Sequence, residues 1–383
     1  MSDAPRIRGW CPGAWRPMMS GDGLVVRIRP LRNRLSRDQV SALASLAVRY
    51  GNGIIDLTSR ANLQIRGVSP DQHDELLRHL ASAGLLDVDA ETEVRRNILC
   101  SPFWQDDDRT TCLHDALLAR ITEMPELPAK MGIAVDTGAG RLLAKNPADF
   151  RFENDAEGSL ILRADGAATG SRISETDAPD ALLEMAHWFV LSRGPEAGRM
   201  KRHLRDVALP EEFTGTAPAP AVSTPQPGRH REGMLLGAAF GALEASALLE
   251  LMGRADVAGI RTTPWRMFLA ETHQPFDTAH FISTPGDPAL RISACPGAPS
   301  CDQAQAPTRP LARHLATLLA ADQSLHVSGC SKGCAHRNDA DITVVGNAGA
   351  FDLVRNGTAW DEPLRRTLSG EDIAKEVAQR NAL

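Results

Sequence analysis

Four cysteines near the C-terminus carry the strongest chemistry in the sequence: Cys295 and Cys301 in CPGAPSC, then Cys330 and Cys334 in GCSKGC. The pattern is Cys-x5-Cys, 28 intervening residues, then Cys-x3-Cys. Thiolates paired in this way suit an iron–sulfur cube, in which each iron takes one cysteine sulfur. Electron transfer is therefore the leading chemistry. Three other readings share the same residues. A structural zinc ion takes ligands about two to four residues apart, which the second pair satisfies and the first does not. Disulfides need an oxidising compartment, and the opening run MSDAPRIRGWCPGAW lacks the continuous apolar stretch of a secretion signal, which points to a reducing, cytoplasmic setting. Inert packing thiols are the third reading, and the one given to Cys11, Cys100 and Cys112.

Cations form the second set. Arg60 and Arg66 stand six positions apart in LTSRANLQIRG, and on a strand the two-residue period puts both on one face with Asn62 and Gln64. Four polar side chains in a row are costly against a dry core, so this face should meet solvent or a polar ligand. Arg96, between Arg95 and Asn97, and Lys130 in LPAKMG extend the set. Guanidinium forks hold carboxylates bidentately, and several together suit a ligand carrying many of them. The plain alternative is a solvated face with surface ion pairs. No pair of histidines with a carboxylate announces a further metal site; lone histidines read as core or surface residues, and His336, just after the last cysteine, is the first to test. A Gly-x-Gly-x-x-Gly turn is absent, so a built-in nicotinamide site has no support.

The elements that must position these residues read as two similar halves. At 383 residues the chain is long enough for several domains, and its formal charge of -6 argues against nonspecific nucleic-acid or membrane-surface binding. The most apolar stretch, Met234 to Met252, is broken by Glu244 and Glu250 and reads as a buried strand running into a helix, not a membrane span. Between Asp206 and Gly233 lies a run with five prolines, the composition of an exposed extended connector. On either side of it a strand, a helix and a returning strand recur: Gly23 to Val26, Leu35 to Arg49 and Ile54 to Arg60, then Gly233 to Leu236, Leu243 to Met252 and Gly259 to Pro264. Further on, Ile98 to Pro102 echoes Ser293 to Pro296, with helices at Leu113 to Met124 and Leu311 to Ala321, and Leu127 to Ile133 echoes His326 to Gly333. The expectation is a duplicated α+β module in which only the second copy carries the thiolates, with a large ligand between the halves. Its boundaries fall at 10–80 and 90–206 for the first copy, 207–232 for the linker, and 233–285 and 286–383 for the second.

Together the cysteine pattern and LTSRANLQIRG resemble the sulfite and nitrite reductase superfamily, the second run being similar to its sirohaem-binding strand, and RRNIL before Cys100 resembles another of its anion-binding stretches. The resemblance spans residues 10 to 365 or so. It implies duplicated ferredoxin-like half-domains and reductase-type cluster domains in a pseudo-two-fold arrangement, with a [4Fe-4S] cluster on Cys295, Cys301, Cys330 and Cys334. Within the superfamily, RGWCPGAWRPMMSGDGLVVRIRP and the compact length resemble the precorrin-3B synthase family of aerobic cobalamin biosynthesis. That resemblance implies O2-dependent hydroxylation of precorrin-3A at C-20 with γ-lactone formation, and a mononuclear non-haem iron beside the cluster. It also implies an external electron donor, an NADH-linked reductase or a ferredoxin. Arg60, Arg66, Arg96 and Lys130, with Asn62 and Gln64, would hold the substrate. The alternatives are a sirohaem-dependent sulfite or nitrite reductase and a non-catalytic electron carrier. Where the reductases carry a Lys-x-Lys run, this sequence keeps only Lys130, and a thinned cation set favours a different chemistry from oxyanion reduction.

Overall fold

The structure, a computed structural model, describes residues 11–194 and 197–379. Residues 1–10, part of the run expected to hold no secretion signal, lie outside the described residues, as do the ends of the first and last expected domains.

One pattern is written twice along the chain. The first half runs β1 (Met18–Ser20), β2 (Gly23–Ile28), β3 (Arg34–Ser36), α1 (Arg37–Tyr50), β4 (Ile54–Leu57), β5 (Leu63–Val68), α2 (His73–Ser82) and α3 (Ala90–Arg95). It continues through β6 (Ile98–Cys100), α4 (Arg109–Ala119), β7 (Ile133–Asp136), β8 (Phe150–Asn154), β9 (Leu160–Ala164), β10 (Ser171–Arg172), α5 (Ala178–Ser192) and α6 (Met200–His203). The second half runs β11 (Gly228–His230), β12 (Gly233–Gly237), β13 (Ala242–Glu244), α7 (Ala245–Gly253), β14 (Gly259–Thr262) and β15 (Met267–Ala270). It ends with β16 (Ile292–Ala294), α8 (Arg309–Ala316), β17 (Leu325–Ser328), β18 (Ala340–Asn347), β19 (Ala350–Gly357), β20 (Arg365–Leu368) and α9 (Gly370–Ala378). Every strand of the first half has its counterpart ten strand numbers later.

Four five-stranded sheets result, in the orders β1-β2-β5-β4-β13, β11-β12-β15-β14-β3, β10-β9-β8-β7-β6 and β16-β17-β18-β19-β20. The first two trade a strand. β13 runs antiparallel to β4 with Leu243 opposite Ile55, and β3 runs antiparallel to β14 with Leu35 opposite Ile260. A left-handed turn precedes each exchanged strand, at Arg32 and Asn33 in one copy and at Phe240 and Gly241 in the other. The exchange also explains why both helices start later than the hydrophobic period suggests: Leu35 and Leu243 are spent on the traded strands. Ser36 then caps α1 in a capping box with Gln39, a pattern the sequence spells as Ser-x-x-Gln. Helices α1 and α7 pack against each other, and one hydrophobic core runs through both sheets. The two half-domains, expected as separate units at 10–80 and 233–285, are thus built into each other.

The other two sheets form separate cores, each with three parallel strands followed by antiparallel ones. Their registers correct the expected alignment. Ile98 lies across from Ile133, and Ile292 across from Leu325, so the residue standing where Cys295 stands is Ser101 and not Cys100. β7 likewise begins where the run Leu127 to Ile133 ends, and that run does not overlay His326 to Gly333.

The connector is not the free extended segment expected. Thr216 and Gly170 exchange backbone hydrogen bonds of 2.9 and 2.8 Å, Ala219 N–H donates to the Asn154 carbonyl at 2.8 Å, and the Pro220 carbonyl accepts from Arg141 N–H at 3.0 Å. Prolines lack the donor a sheet needs but keep the acceptor, so residues 216–221 meet the first half only through isolated bridges, whereas residues 228–230, expected in the linker, form β11 and pair with β12. Among the described residues no helix is long and apolar enough to cross a membrane, and Met234 to Met252 forms β12, β13 and α7.

Candidate functional site

A cavity of about 930 Å³ opens where the traded sheets meet the C-terminal domain. Strands β2, β4 and β5 contribute Arg27, Asp56, Gln64 and Arg66, and the β14–β15 turn contributes Trp265 and Arg266. The strap adds Thr224 to Pro227, and the cluster-type domain adds Arg291, Ser293, Cys295, Arg309, Cys334 and His336. Five guanidiniums against Asp56 and Asp287 leave the wall cationic. Phe240, Leu57 and Trp265 give it apolar surface, so the cavity suits an anionic ligand that also carries apolar parts.

The residues expected on one strand face divide. β5 begins only at Leu63, so Arg60 and Asn62 belong to the turn after β4, where Ala61 takes a left-handed φ of 55° and Thr58 N–H donates to the Asn62 carbonyl at 2.9 Å. Asn62 is buried in that turn and does not line the cavity. The Arg60 guanidinium donates to the Lys130 carbonyl at 2.7 Å, while the Lys130 side chain is exposed away from the cavity wall. Gln64 does line the cavity, and with its amide oxygen turned to Arg27 it accepts bonds of 2.9 and 3.2 Å from that guanidinium.

Arg66 lines the cavity but is committed elsewhere. At 6 % exposure it donates to the Ser300 carbonyl at 2.7 Å, and it faces Asp22 at 3.3 Å and Asp56 at 3.6 Å. It thereby ties β5 to the loop between Cys295 and Cys301, and Ser20 donates to the same Ser300 carbonyl. Arg96 is buried off the cavity, forked on Asp87 at 2.6 and 2.9 Å and donating to the Arg29 carbonyl. Its expected carboxylate is supplied by the protein itself, which makes it a framework residue. Asp56 also accepts from Arg309 at 2.6 Å, so one carboxylate steadies two of the five cavity arginines.

Sequence reasoning missed Arg27, Arg266, Arg291 and Arg309. Arg27 and Arg29 alternate in VVRIRP, a two-residue spacing that was there to be read. Burial, then repulsion from Arg29, pushes Arg27 down to about 10, while Cys11 pulls the other way. Cys11 acts on Arg60 in the same sense, so the thiol expected as inert filler lies beside two guanidiniums. Cys100, in contrast, is packed in its core at 1 % exposure, and burial pushes its thiol well up. Arg266 sits at the turn position matching Ala61, with a φ of 59°, and reaches the Ile292 carbonyl and the Ser293 hydroxyl.

The four C-terminal thiols converge. Burial raises Cys330 and Cys334, and repulsion from Cys295 and Cys301 adds to it, whereas Lys332 draws both down. All four are free of disulfides. Yet among the described residues no three His, Cys, Asp or Glu side chains gather tightly enough for a single ion, as tetrahedral zinc with bonds of about 2.3 Å to sulfur would demand. A cube would take one sulfur from each of the four cysteines. The loops that carry them are tightly made: a Cβ on Gly297, at φ 71°, would fall 2.5 Å from the Thr308 hydroxyl.

One group beside them is unpaired. His326, on β17, is wholly buried, and neither ring nitrogen has a hydrogen-bond partner. Burial, then the neighbouring His336 and Arg266, pushes it down to about 4. The His326 and His336 rings lie with centroids 5.8 Å apart.

Comparison with known proteins agrees with this architecture. The profile of the nitrite/sulfite reductase ferredoxin-like half domain matches residues 16–83. A precorrin-3B synthase from Sinorhizobium sp is 31% identical over 386 aligned positions, covering 92% of this chain and 83% of that protein. A ferredoxin–nitrite reductase of Synechococcus elongatus is 32% identical over 155 positions, 37% of this chain and 30% of the other. Among solved structures, the NirA protein of Mycobacterium tuberculosis shares the fold with a TM-score of 0.66 at 19% identity, over 94% of this chain and 80% of that one.

Proposed function

The chain belongs to the precorrin-3B synthase family, and on that premise we propose that it hydroxylates precorrin-3A at its C-20 bridge with O2 and closes a γ-lactone through an acetate side chain, in aerobic cobalamin biosynthesis. The kinship along nearly the whole chain carries this reading, since the nitrite reductase match spans a little over a third of it. The sirohaem-dependent reductase reading is weakened at Gly132, the place of the second lysine. A Cβ there would meet Asn97 Nδ2 at 2.5 Å, so no longer side chain fits without displacing Asn97. A reductase of small oxyanions needs dense positive charge to take up the charge that develops.

In this reading Cys295, Cys301, Cys330 and Cys334 would hold a [4Fe-4S] cluster, which would supply single-electron transfer, and a mononuclear non-haem iron would supply O2 activation. The protein's own side chains do the rest. Arg27 offers its guanidinium to the carboxylate rim of the substrate; Arg266 and Arg291, which already donate to backbone carbonyls, add positive charge to the wall, and Asp56 keeps Arg66 and Arg309 in place. Trp265, Phe240 and Leu57 cover apolar parts of the ring, and Thr224 to Pro227 close one side of the cavity against water. One oxygen atom enters the substrate and the other leaves as water, with two electrons and two protons drawn from an external NADH-linked reductase or ferredoxin. Seven unpaired cysteines are in keeping with a reducing cytoplasm.

The test is direct. Anaerobically reconstituted protein is given precorrin-3A, an electron donor and isotopically labelled O2, and the product is weighed by mass spectrometry. One labelled oxygen per product is expected; an unlabelled product, or a sirohaem spectrum in the purified protein, defeats the proposal.

A further inference from the structure

The buried face of β17 holds an imidazole for which the protein supplies no partner, and burying a polar group unpaired costs roughly 1–3 kcal/mol. His326 is that group, with both ring nitrogens unsatisfied at 0 % exposure. It sits between Ser293 and Thr343 on the neighbouring strands, and Ser293 lines the cavity. The Thr343 hydroxyl is already donated to the Gly357 carbonyl and so does not serve it. His336 also lines the cavity, and its Nε2 faces the Asp339 carbonyl at 3.4 Å. An imidazole that gives its N–H to a backbone carbonyl turns the lone pair of its other nitrogen outward, the arrangement usual for metal-binding histidines. Ring centroids 5.8 Å apart lie within the span that one ion can bridge with bonds of about 2.1 Å to each ring.

We propose that His326 and His336 form a two-imidazole site for a divalent transition metal ion, ferrous iron first, on the cavity wall beside Cys334. Among the described residues no third protein donor completes the set. The remaining coordination positions therefore face the cavity and fall to water, O2 or a carboxylate of the bound ligand, and two nitrogens plus one carboxylate is the donor set of many iron oxygenases. Choosing iron over another divalent ion rests on the proposed function; the site itself rests on the two rings.

Protein carrying its cluster is titrated anaerobically with ferrous iron, and bound mononuclear iron is read from the electron paramagnetic resonance of its nitric oxide adduct. Cluster absorbance in the same samples reports folding. Wild type should give the mononuclear signal, and His326→Ala and His336→Ala should each weaken iron binding at least about tenfold with cluster absorbance intact. If His326→Ala loses the cluster and fails to fold, the partly exposed His336 decides through its own variant. A wild type without the signal, or a folded His336→Ala that binds iron like wild type, overturns the site. Failure of oxygen to enter precorrin-3A would leave this readout untouched, so the two proposals fall separately.

Discussion

The sheets β6–β10 and β16–β20 share strand order and register, yet their faces opposite the helix-packed cores are filled in opposite ways. In the first, Asp136, Arg151, Glu153 and Arg163 are all buried, with Arg163 forked on Glu153 at 2.7 and 2.9 Å and Arg151 on Asp165 at 2.7 Å. The matching positions in the second hold Ser328, Thr343, Val345 and Val354, and Ala134 is replaced by His326. One copy closes its own electrostatics with ion pairs; the other is small, neutral and left with an unsatisfied ring. A duplicated scaffold thus separates into a largely self-satisfied half, in which Asp136 Oδ1 is without a partner, and a half that buries an imidazole with neither nitrogen bonded. The exchange of Ser101 for Cys295 at one register position belongs to the same division.

The comparison breaks most visibly at the cysteines. Cys330→Ser should abolish the visible absorbance and the bound iron and sulfide of anaerobically prepared protein. Cys100→Ser, in the self-satisfied half, should leave both intact and cost about 1–3 kcal/mol in urea unfolding by burying an unpaired hydroxyl. An unchanged spectrum in Cys330→Ser would erase the proposed difference between the halves.

Removing one member of a buried pair leaves the other charge stranded. Arg163→Met should therefore cost roughly 3–5 kcal/mol, read as a shift in the denaturation midpoint with cluster absorbance unaffected in the folded state. A loss below 1 kcal/mol on the order of a surface pair would mean that the first half does not depend on its internal ion pairs.

Asp136 sharpens the contrast through pH. Burial, with Glu153 adding to it against the Leu143 N–H, raises this carboxyl from 3.8 to about 6. The folded state therefore prefers the protonated acid: the stabilisation is fully present below pH 3.8, fades as pH rises through about 6, and is gone at neutrality. At about 1.36 kcal/mol per pKa unit the change is at most about 3 kcal/mol. Asp136→Asn keeps an acceptor for Leu143 N–H, bonded at 2.7 Å, and removes the titration. The variant should match wild type near pH 4 and exceed it in urea at pH 7; equal stability at both values would remove Asp136 from the account. The smallest effect belongs to the half-exposed Arg120 of the α4–α5 surface, paired with Glu123 and Asp180, where Arg120→Ala should leave the urea unfolding midpoint essentially unchanged.

Much of this was legible in the residues. The cysteine spacing marked the trailing half and the repeated strand–helix–strand period marked the duplication, whereas the start of α1 was placed two residues early, at Leu35. The strand exchange was not, because Leu35 and Leu243 satisfy a helical period as well as a strand position, and only a partner hundreds of residues away decides between them. The expected anion-binding strand failed in part because Ala61 turns left-handed and shortens β5, moving Arg60 and Asn62 off it. Arg66 and Arg96 were expected to hold substrate carboxylates, but a sequence does not say whether a guanidinium's carboxylate belongs to a ligand or to Asp56 and Asp87. His326 looked like any lone histidine until its neighbours were known to offer it nothing.

The traded strands bear on how the chain comes off the ribosome. The edge of β4 is covered only when residues 242–244 arrive, long after β1, β2, β4 and β5 have emerged, and β3 waits as long for β14. Through most of translation the nascent protein carries an uncapped ladder edge, the feature that invites pairing with a stranger. Synthesis of the middle third is then a race between self-completion and aggregation, and slow elongation before residue 244 is where chaperone dependence should be greatest.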